Sequence, residues 1–437
     1  MSHLIKNRLN IFLPKKNCIF YLLAFALATL LDLAFGTIMS PDSSSYISYS
    51  IERPPLYPGI ISLFKIVFGS YGIKSLIFFQ LYGGLSVCAW VVYKLDELFQ
   101  GIHSSKFLVF LVLVFPYCVH PYYGNTILSE AIAYPLFLIM FICVLEVIIN
   151  NRKQYLYALP IAISLLILTR AQFFFMVPWF VLFCFYMIFL RRDIINRPVA
   201  IMLMLLCTIL PITIDKTARY FVHGTFSSPP YLMQQLLMVP LVASDIKAAD
   251  SISDPGMRAL FIEIKTKMKS VGINDSSRRN PIIQAYANYN IYYGAFYYDI
   301  VNPIIDKAGI HTAAAKESFA KALYIILIKD KHTLYSTIIL YGINIMHVWG
   351  GKYWVILNVL VFMGSVCLYW QKRERYSLVL FFIILMNLIN ITLIAILESS
   401  EDRYTFCTDT LSVVIIIILL GKLWDNNLNF SPDRIER

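Results

Sequence analysis

An acidic residue follows the first apolar segment of the chain, within the stretch PDSSSYISYSIERPPLYP at 41–58. The apolar segment at 18–38 is about as long as a helix that crosses a bilayer, so Asp42 is expected where that helix leaves the lipid. Pro54 and Pro55 stop a helix and hold the loop in extended or turn geometry. A carboxylate held at a membrane surface by a shaped loop is suited to take a proton from a hydroxyl as a general base.

Further ionisable residues lie at the ends of apolar segments. They are Arg53, Glu130, Arg170 and the string Glu398-Ser399-Ser400-Glu401-Asp402-Arg403-Tyr404. Ionisable groups are costly in lipid, so those retained at such positions often line a polar cavity. Carboxylates and guanidinium groups around one cavity suit a reaction that deprotonates a hydroxyl and holds a phosphate, because the planar guanidinium binds phosphate oxygens in pairs. Glycosyl transfer from a lipid phosphate is such a reaction.

The composition excludes a soluble domain. Hydrophobic residues make up 59% of the 437 residues and charged residues 14%, and the mean hydropathy is +0.67. Long continuous apolar runs predict helical spans and not barrel strands. The net charge of +11 does not indicate nucleic-acid binding, because the Lys and Arg residues cluster between apolar segments. The cysteines and histidines show no disulfide framework or metal-ligand spacing, so no zinc-type site is predicted.

The apolar runs predict an all-α polytopic membrane protein with about ten transmembrane helices and one large helical periplasmic loop. The candidate segments are 18–38, 73–93, 107–119, 130–149, 156–169, 172–190, 198–214, 353–370, 377–397 and 409–424. With the N-terminus on the cytoplasmic side, the basic clusters between segments all fall on that side, as the positive-inside rule expects. Asp42, Glu130, Arg170 and Arg403 then fall on the opposite side.

Three regions follow from this pattern. They are an N-terminal membrane module at 1–214 that carries the first outer loop and the catalytic residue, a periplasmic loop domain at 215–352 with interfacial helices, and a C-terminal membrane module at 353–437. Within the loop domain, Asp254 followed by a proline predicts a helix start, and Gly272 predicts its end. A second amphipathic helix is predicted from Ala313 to about Ile328.

The chain resembles the multi-spanning GT-C glycosyltransferases, which include bacterial relatives of protein mannosyltransferases and the aminoarabinose lipid A transferases. The resemblance rests on the order of five features, which are PDS-x-x-Y at 41–46, RPPLYP at 53–58, Ser129-Glu130 entering a span, Leu-Thr-Arg ending at Arg170, and Arg403-Tyr404 before the last span. It covers most of the spans but not the long loop. The length, the ten segments and the single large loop also resemble the phage-type O-antigen glucosyltransferases, which use undecaprenyl-phosphate glucose.

The resemblance implies an inverting glycosyltransferase in the bacterial inner membrane, with its active site facing the periplasm. The donor would be a hexose on polyprenyl phosphate, glucose in the narrower resemblance, and the acceptor a glycan or lipid-linked acceptor such as O-antigen. The positions that match the family's site are Asp42 as catalytic base, Arg403, Arg170 and Tyr404 at the donor phosphate, and Arg53, Tyr46 and Glu130 in substrate binding. No Asp-Glu pair follows the first span, so the need for a divalent cation stays open, and no other cofactor is implied.

Structural interpretations of the same residues stay open. Asp42 precedes Ser-Ser-Ser-Tyr-Ile and could cap a helix that lies along the membrane surface. Arg53 could be an interfacial side chain whose charged head reaches water. Glu130 could be an exposed acid in a first helical turn, favoured by the helix dipole.

Two other functions stay open beside glycosyl transfer. O-antigen polymerases and ligases also have many spans and a large outer loop, but they tend to carry an arginine followed by glycine eleven positions later, and no arginine of the outer segments does so here. A transporter or flippase of a lipid-linked sugar predicts polar residues deep in several spans, and here Asp32 and Glu146 are the main candidates.

Overall fold

The computed structural model describes residues 18–100, 102, 105–119, 123–190, 195–226, 232–273, 296–348, 358–367, 375–397 and 405–428. These residues are nearly all helical, and their only β pairing is an isolated parallel bridge between Ile38 and Thr126. The first helices are α1 (Cys18–Phe35), α2 (Ser43–Ile47), α3 (Leu56–Phe68), α4 (Gly72–Leu98), α5 (Lys106–Cys118), α6 (Glu130–Asn150), α7 (Lys153–Thr169), α8 (Met176–Leu190) and α9 (Arg197–His223). Those that follow are α10 (Leu232–Ala243), α11 (Pro255–Ser270), α12 (Asn302–Lys307), α13 (Ala313–Lys329), α14 (Lys331–Val348), α15 (Asn358–Cys367), α16 (Arg375–Leu397) and α17 (Phe406–Leu428).

Six helical stretches in the described part of the chain are long and apolar enough to cross a membrane. They are Cys18–Phe35, Leu56–Leu98, Glu130–Asn150, Ala171–Phe189, Arg197–His223 and Arg375–Leu397. Five shorter apolar helices accompany them, namely α5, α7, α10, α15 and the apolar part of α17. This is the pattern of an all-α, multi-pass membrane protein. The count of ten spans stays a prediction, because several of its segments correspond to these short helices.

The chain divides into two compact units. The first comprises Met1–Phe226, Phe362–Asn387 and Phe406–Arg437, and the second comprises Ser227–Val361 and Leu388–Thr405. The second unit has its own buried apolar core, in which side chains of α10, α11, α13 and α14 pack together. Leu241, Phe261 and Leu323 are completely buried there.

Helix boundaries in the second unit follow the local sequence signals. The side chain of Asp254 accepts a hydrogen bond from the backbone N–H of Met257 at 2.6 Å, and Pro255 occupies the first turn of α11, as expected at a helix start. Beyond its end, Gly272 has a φ of +81°, a conformation that glycine adopts without strain. The predictions of a helix between Asp254 and Gly272 and of another beginning at Ala313 are confirmed.

Two ionisable side chains hold the ends of α10 in the second unit. The carboxylate of Glu317 accepts a hydrogen bond from the backbone N–H of Met233 at 2.8 Å, and Lys265 donates to the carbonyl oxygens of Leu241 and Ser244 at 3.0 and 2.5 Å. The carboxylate of Glu317 complements the helix dipole at the N-terminus, and the amine of Lys265 donates to carbonyl groups at the C-terminus. They anchor an apolar helix whose terminal backbone groups lack partners within the helix.

In the first unit, α9 continues past the end of its predicted apolar segment. The hydropathy signal stops at 214, where charged residues begin, but the helix continues to His223 and Gly224 follows with a φ of +71°. Charged residues between 215 and 223 are compatible with helix geometry, and the first helix-ending residue is Gly224. This extension places Asp215, Arg219 and His223 on one helical face, because they are four residues apart.

Candidate functional site

The first outer loop is held against the segment that precedes α6. The backbone N–H of Ile38 donates to the carbonyl of Asn125 at 2.8 Å, and the N–H of Ile127 donates to the carbonyl of Ile38 at 3.2 Å. The hydroxyl of Ser43 donates to the carbonyl of Ile127 at 2.9 Å. The side chain of Asn125 donates to the carbonyls of Leu31 and Gly36 at 3.2 and 2.8 Å. The loop that carries Asp42 is therefore fixed to a segment more than 80 positions away in the sequence.

Gln80 of α4 holds the segment that precedes α6 and binds Tyr57 of α3, whose ring contacts the first outer loop. Its amide nitrogen donates to the carbonyls of Gly124 and Thr126, each at 2.9 Å, and its amide oxygen accepts from the hydroxyl of Tyr57 at 3.2 Å. Tyr57 is completely buried, and its ring contacts that of Tyr46 edge-on, with centroids 5.2 Å apart. The sequence motifs did not include Gln80. A glutamine inside an apolar span is nevertheless a signal, because its amide must find hydrogen-bond partners there.

Asp42 forms an ion pair with Arg53 across the loop. The Nη2 atom of Arg53 donates to Oδ1 of Asp42 at 2.7 Å, and the side chains of Asp42 and Arg53 are 31% and 23% exposed. Asp42 precedes α2, but its backbone is helical and its side chain makes no capping hydrogen bond. The interpretation of its side chain as a helix cap is therefore wrong. The carboxylate is directed to Arg53 while a part of it stays accessible.

Tyr46 joins this pair to the start of α6. The Nη1 atom of Arg53 donates to the hydroxyl of Tyr46 at 3.3 Å, and its guanidinium carbon lies 4.4 Å from the centroid of the Tyr46 ring, a cation–π contact. The hydroxyls of Tyr46 and Ser129 are 2.8 Å apart, and Ser129 donates to Oε2 of Glu130 at 3.2 Å. Because the Ser129 proton points to Glu130, Tyr46 is the donor to Ser129.

Glu130 and Arg170 form the second ion pair of the site. Glu130 is the first residue of α6, and Arg170 directly follows α7, where the chain turns into extended backbone. Helices α6 and α7 are joined by a short connection and pack side by side, so the N-terminus of one meets the C-terminus of the other. Glu130 is 2% exposed and Arg170 12%. The interpretation of Glu130 as an exposed first-turn acid is therefore wrong.

These contacts form one continuous chain of polar groups. It runs from Asp42 through Arg53, Tyr46, Ser129 and Glu130 to Arg170. The donors between Arg53 and Glu130 all point toward the buried carboxylate, an arrangement in which neighbouring hydrogen bonds strengthen one another. Five of the seven residues predicted for the site are thus brought together: Asp42, Arg53, Tyr46, Glu130 and Arg170. Arg403 and Tyr404 lie outside the described residues.

The protonation of the loop residues follows from their surroundings. Burial alone would lower the pKa of Arg53, but Tyr46 and Asp42 raise it, and the net pKa lies above its ordinary value. Burial, followed by the charge of Glu130, raises the pKa of Tyr46. Arg53 therefore stays charged and Tyr46 keeps its proton at neutral pH, as the hydrogen bonds described above require.

The described residue nearest in sequence to Arg403 and Tyr404 within this unit is Phe406, at the start of α17. Its ring packs against the rings of Tyr123 and Tyr134, with centroids 4.7 and 5.4 Å away. Tyr134 lies one helical turn after Glu130 on α6. The N-terminus of α17 therefore contacts the same part of the first unit that carries Glu130.

A separate charged cluster surrounds Glu146, near the other end of α6. The fully buried carboxylate of Glu146 accepts from Arg152 at 3.1 Å and from the amide of Asn150 at 2.7 Å, and the amine of Lys94 lies 3.7 Å away. It lies 16 residues after Glu130, or about 24 Å along the helix. Asn150 and Arg152 tie this carboxylate to the turn between α6 and α7, and Lys94 ties it to α4, which is a structural role.

No group of three or more His, Cys, Asp or Glu side chains that could hold a metal ion occurs among the described residues. Comparison with protein-family models, with curated proteins and with solved structures finds no match for this chain.

Proposed function

We propose that this protein is an integral membrane glycosyltransferase that moves a hexose from polyprenyl phosphate to a cell-surface glycan or a lipid-linked acceptor such as O-antigen. The observation that carries the proposal is the series of polar contacts between Asp42 and Arg170. It joins an accessible carboxylate to a buried ion pair in a protein whose helices are apolar enough to cross a membrane. A soluble hexose-phosphate donor would not require such a site beside apolar helices.

Asp42 is the general base of the proposed mechanism. It removes the proton of the acceptor hydroxyl, the hydroxyl oxygen attacks the anomeric carbon of the donor, and the bond from that carbon to the phosphate oxygen breaks with inversion. Arg53 holds the Asp42 carboxylate in one orientation through the 2.7 Å bond. Tyr46 fixes Arg53 in turn, so that the base is positioned before the acceptor arrives.

The donor phosphate is assigned to Arg403 and Tyr404, together with Arg170. Arg170 uses a terminal nitrogen to pair with Glu130. Its first role is therefore to join the start of α6 to the turn that follows α7. Stabilising the negative charge that develops on the departing phosphate is a role for guanidinium groups at this end of the helices.

The test is transfer by the purified protein in lipid vesicles, with a short polyprenyl-phosphate hexose as donor and an acceptor glycan extract. Release of polyprenyl phosphate is measured by mass spectrometry. Asp42→Asn is expected to abolish release, since an amide cannot accept the proton, whereas Glu52→Gln makes the same chemical change on an exposed carboxylate of the same loop and is expected to keep it. Transfer by Asp42→Asn near the wild-type rate would exclude Asp42 as the base.

The same assay separates the alternatives. A transporter or flippase moves the donor across the vesicle membrane without releasing polyprenyl phosphate. A polymerase or ligase transfers a whole lipid-linked glycan, so the mass added to the acceptor is that of an oligosaccharide and not of one hexose. Addition of a single hexose with release of polyprenyl phosphate is the outcome expected of the proposed function.

A further inference from the structure

A second cluster of polar side chains connects the Asp42 loop to α9. Tyr49 lies in this loop, between Asp42 and Arg53, and has a φ of +52°, which is unusual for a residue other than glycine. Its ring packs edge-on against the ring of His223, with centroids 5.3 Å apart. On the same face of α9, Nε of Arg219 donates to Oδ2 of Asp215 at 2.9 Å.

The cluster contains buried polar atoms that have no hydrogen-bond partner among the described residues. They are both terminal nitrogens of Arg219, the hydroxyl of Tyr49, Oδ1 of Asp215 and Nε2 of His223. Arg219 is completely buried. A buried polar atom without a partner is costly, and native proteins contain few of them, so their concentration on four neighbouring side chains indicates that a polar ligand completes their hydrogen bonds.

The chemistry of these atoms identifies the class of ligand. The terminal nitrogens of Arg219 carry only N–H donors, and Tyr49 adds an O–H donor, so donors outnumber the single carboxylate oxygen of Asp215. Asp215 binds the Nε edge of the guanidinium and leaves the terminal nitrogens for another partner. Two parallel N–H groups of a guanidinium match two oxygens of a phosphate group, and Asp215 Oδ1 can accept a hydroxyl carried by the same ligand.

We propose that Arg219, together with Tyr49 and His223, binds a phosphate-type oxyanion beside the loop that carries Asp42. The proposal rests on the proposed function only for the natural source of that phosphate, which would be the polyprenyl-phosphate donor. Because Tyr49 and Asp42 belong to one loop, phosphate bound at Arg219 would also hold the loop in place. Arg219 is then a donor-binding residue that the sequence motifs did not include.

The experiment measures binding and not turnover. The full-length protein in lipid nanodiscs is titrated with farnesyl phosphate, a short polyprenyl phosphate, and separately with inorganic phosphate, and the heat of binding is recorded. Farnesol, which lacks the phosphate, is the control ligand. Arg219→Gln removes the charge and the paired donors, and Tyr49→Phe removes only the hydroxyl. Lys216→Gln removes a positive charge from the same helix outside the cluster and is the matched control.

The expected result is binding of farnesyl phosphate that weakens about tenfold or more in Arg219→Gln and about threefold in Tyr49→Phe, with Lys216→Gln close to wild type. The same dependence with inorganic phosphate would identify a soluble phosphate as a source, and its restriction to farnesyl phosphate would identify a lipid headgroup. Should Arg219→Gln fail to fold, Tyr49→Phe decides.

Equal affinities of wild type, Arg219→Gln and Tyr49→Phe for farnesyl phosphate would overturn the proposal. The absence of phosphate binding to the wild-type protein would also overturn it. In either case water would be the partner of these buried atoms. The result is independent of the transfer assay. If the wild-type protein released no polyprenyl phosphate in the transfer assay while Arg219→Gln lost phosphate binding, the proposed function would fail and this site would stand.

Discussion

Separating Glu130 from Arg170 should destabilise the protein far more than separating Asp42 from Arg53. Glu130 is 2% exposed, so Arg170→Met leaves a buried carboxylate whose charge is no longer compensated. Breaking a buried pair in this way costs about 3–5 kcal/mol of unfolding free energy. Asp42 is 31% exposed, and removing one partner of such a partly exposed pair costs at most about 1 kcal/mol.

A double-mutant cycle makes the comparison quantitative. Glu130→Gln and Arg170→Met are made singly and together, because the double variant removes both charges and should recover most of the stability lost in Arg170→Met, to within about 2 kcal/mol of wild type. Unfolding in detergent micelles is followed by tryptophan fluorescence, for which the completely buried Trp179 is a suitable reporter. A double variant that is no more stable than Arg170→Met would refute the ion pair as the source of the loss.

Two further predictions concern packing and protonation. A Cβ atom at Gly84 would lie 1.9 Å from the buried hydroxyl of Tyr117, whereas one at Gly83 meets nothing within 4 Å. Gly84→Ala should therefore lower the unfolding free energy by about 1–3 kcal/mol, and Gly83→Ala should not. Equal melting temperatures of the two variants would contradict this. Burial lowers the pKa of Lys265 to about 7 from its unfolded value of 10.5, so the unfolded chain binds more protons between these pH values, and stability should rise with pH there by up to about 1.4 kcal/mol per unit. The unfolding free energy of Lys265→Met should not show this rise between pH 7 and 10. Parallel pH dependences of wild type and Lys265→Met would exclude the lowered pKa of Lys265.

Helix positions in this chain could be predicted where local signals set them. Asp254 and Gly272 mark the ends of α11 because a side-chain cap and a left-handed glycine act on their nearest neighbours only. The end of α9 was not predicted, because hydropathy reports where apolar residues stop and not where the helix stops. Asp215 to His223 are polar enough to end an apolar window but not to end a helix.

The proximity of five of the selected residues could be predicted from the sequence, but their pairings could not. Carboxylates at span ends are unusual, so Asp42 and Glu130 stand out in the sequence without any knowledge of their contacts. The partner of Glu130 is 40 positions away, and it is fixed by the antiparallel packing of α6 against α7, which no local pattern encodes. Arg53 and Arg170 were therefore assigned to substrate and phosphate, whereas each also forms an ion pair with a carboxylate of the protein itself.

Arg219 shows what residue-by-residue inspection leaves out. Its spacing from Asp215 and His223 places all three on one helical face, a pattern visible in the sequence once the helix is known to continue to His223. The contact of that face with Tyr49 depends on the loop conformation, in which Tyr49 adopts a positive φ. Long-range contacts of this kind require the folded chain.

Exposure distinguishes the two carboxylates of the site as candidates for the base. A general base must reach the hydroxyl proton of an acceptor within hydrogen-bond distance. Glu130 is enclosed between Ser129 and Arg170, and an acceptor could reach it only by displacing buried groups. Asp42 gives one oxygen to Arg53 and keeps nearly a third of its side chain accessible, so the same ion pair that orients it still allows approach. In the proposed mechanism Glu130 is therefore a positioning residue, and its replacement should act through stability and through the placement of Tyr46, whereas replacement of Asp42 should act mainly on transfer.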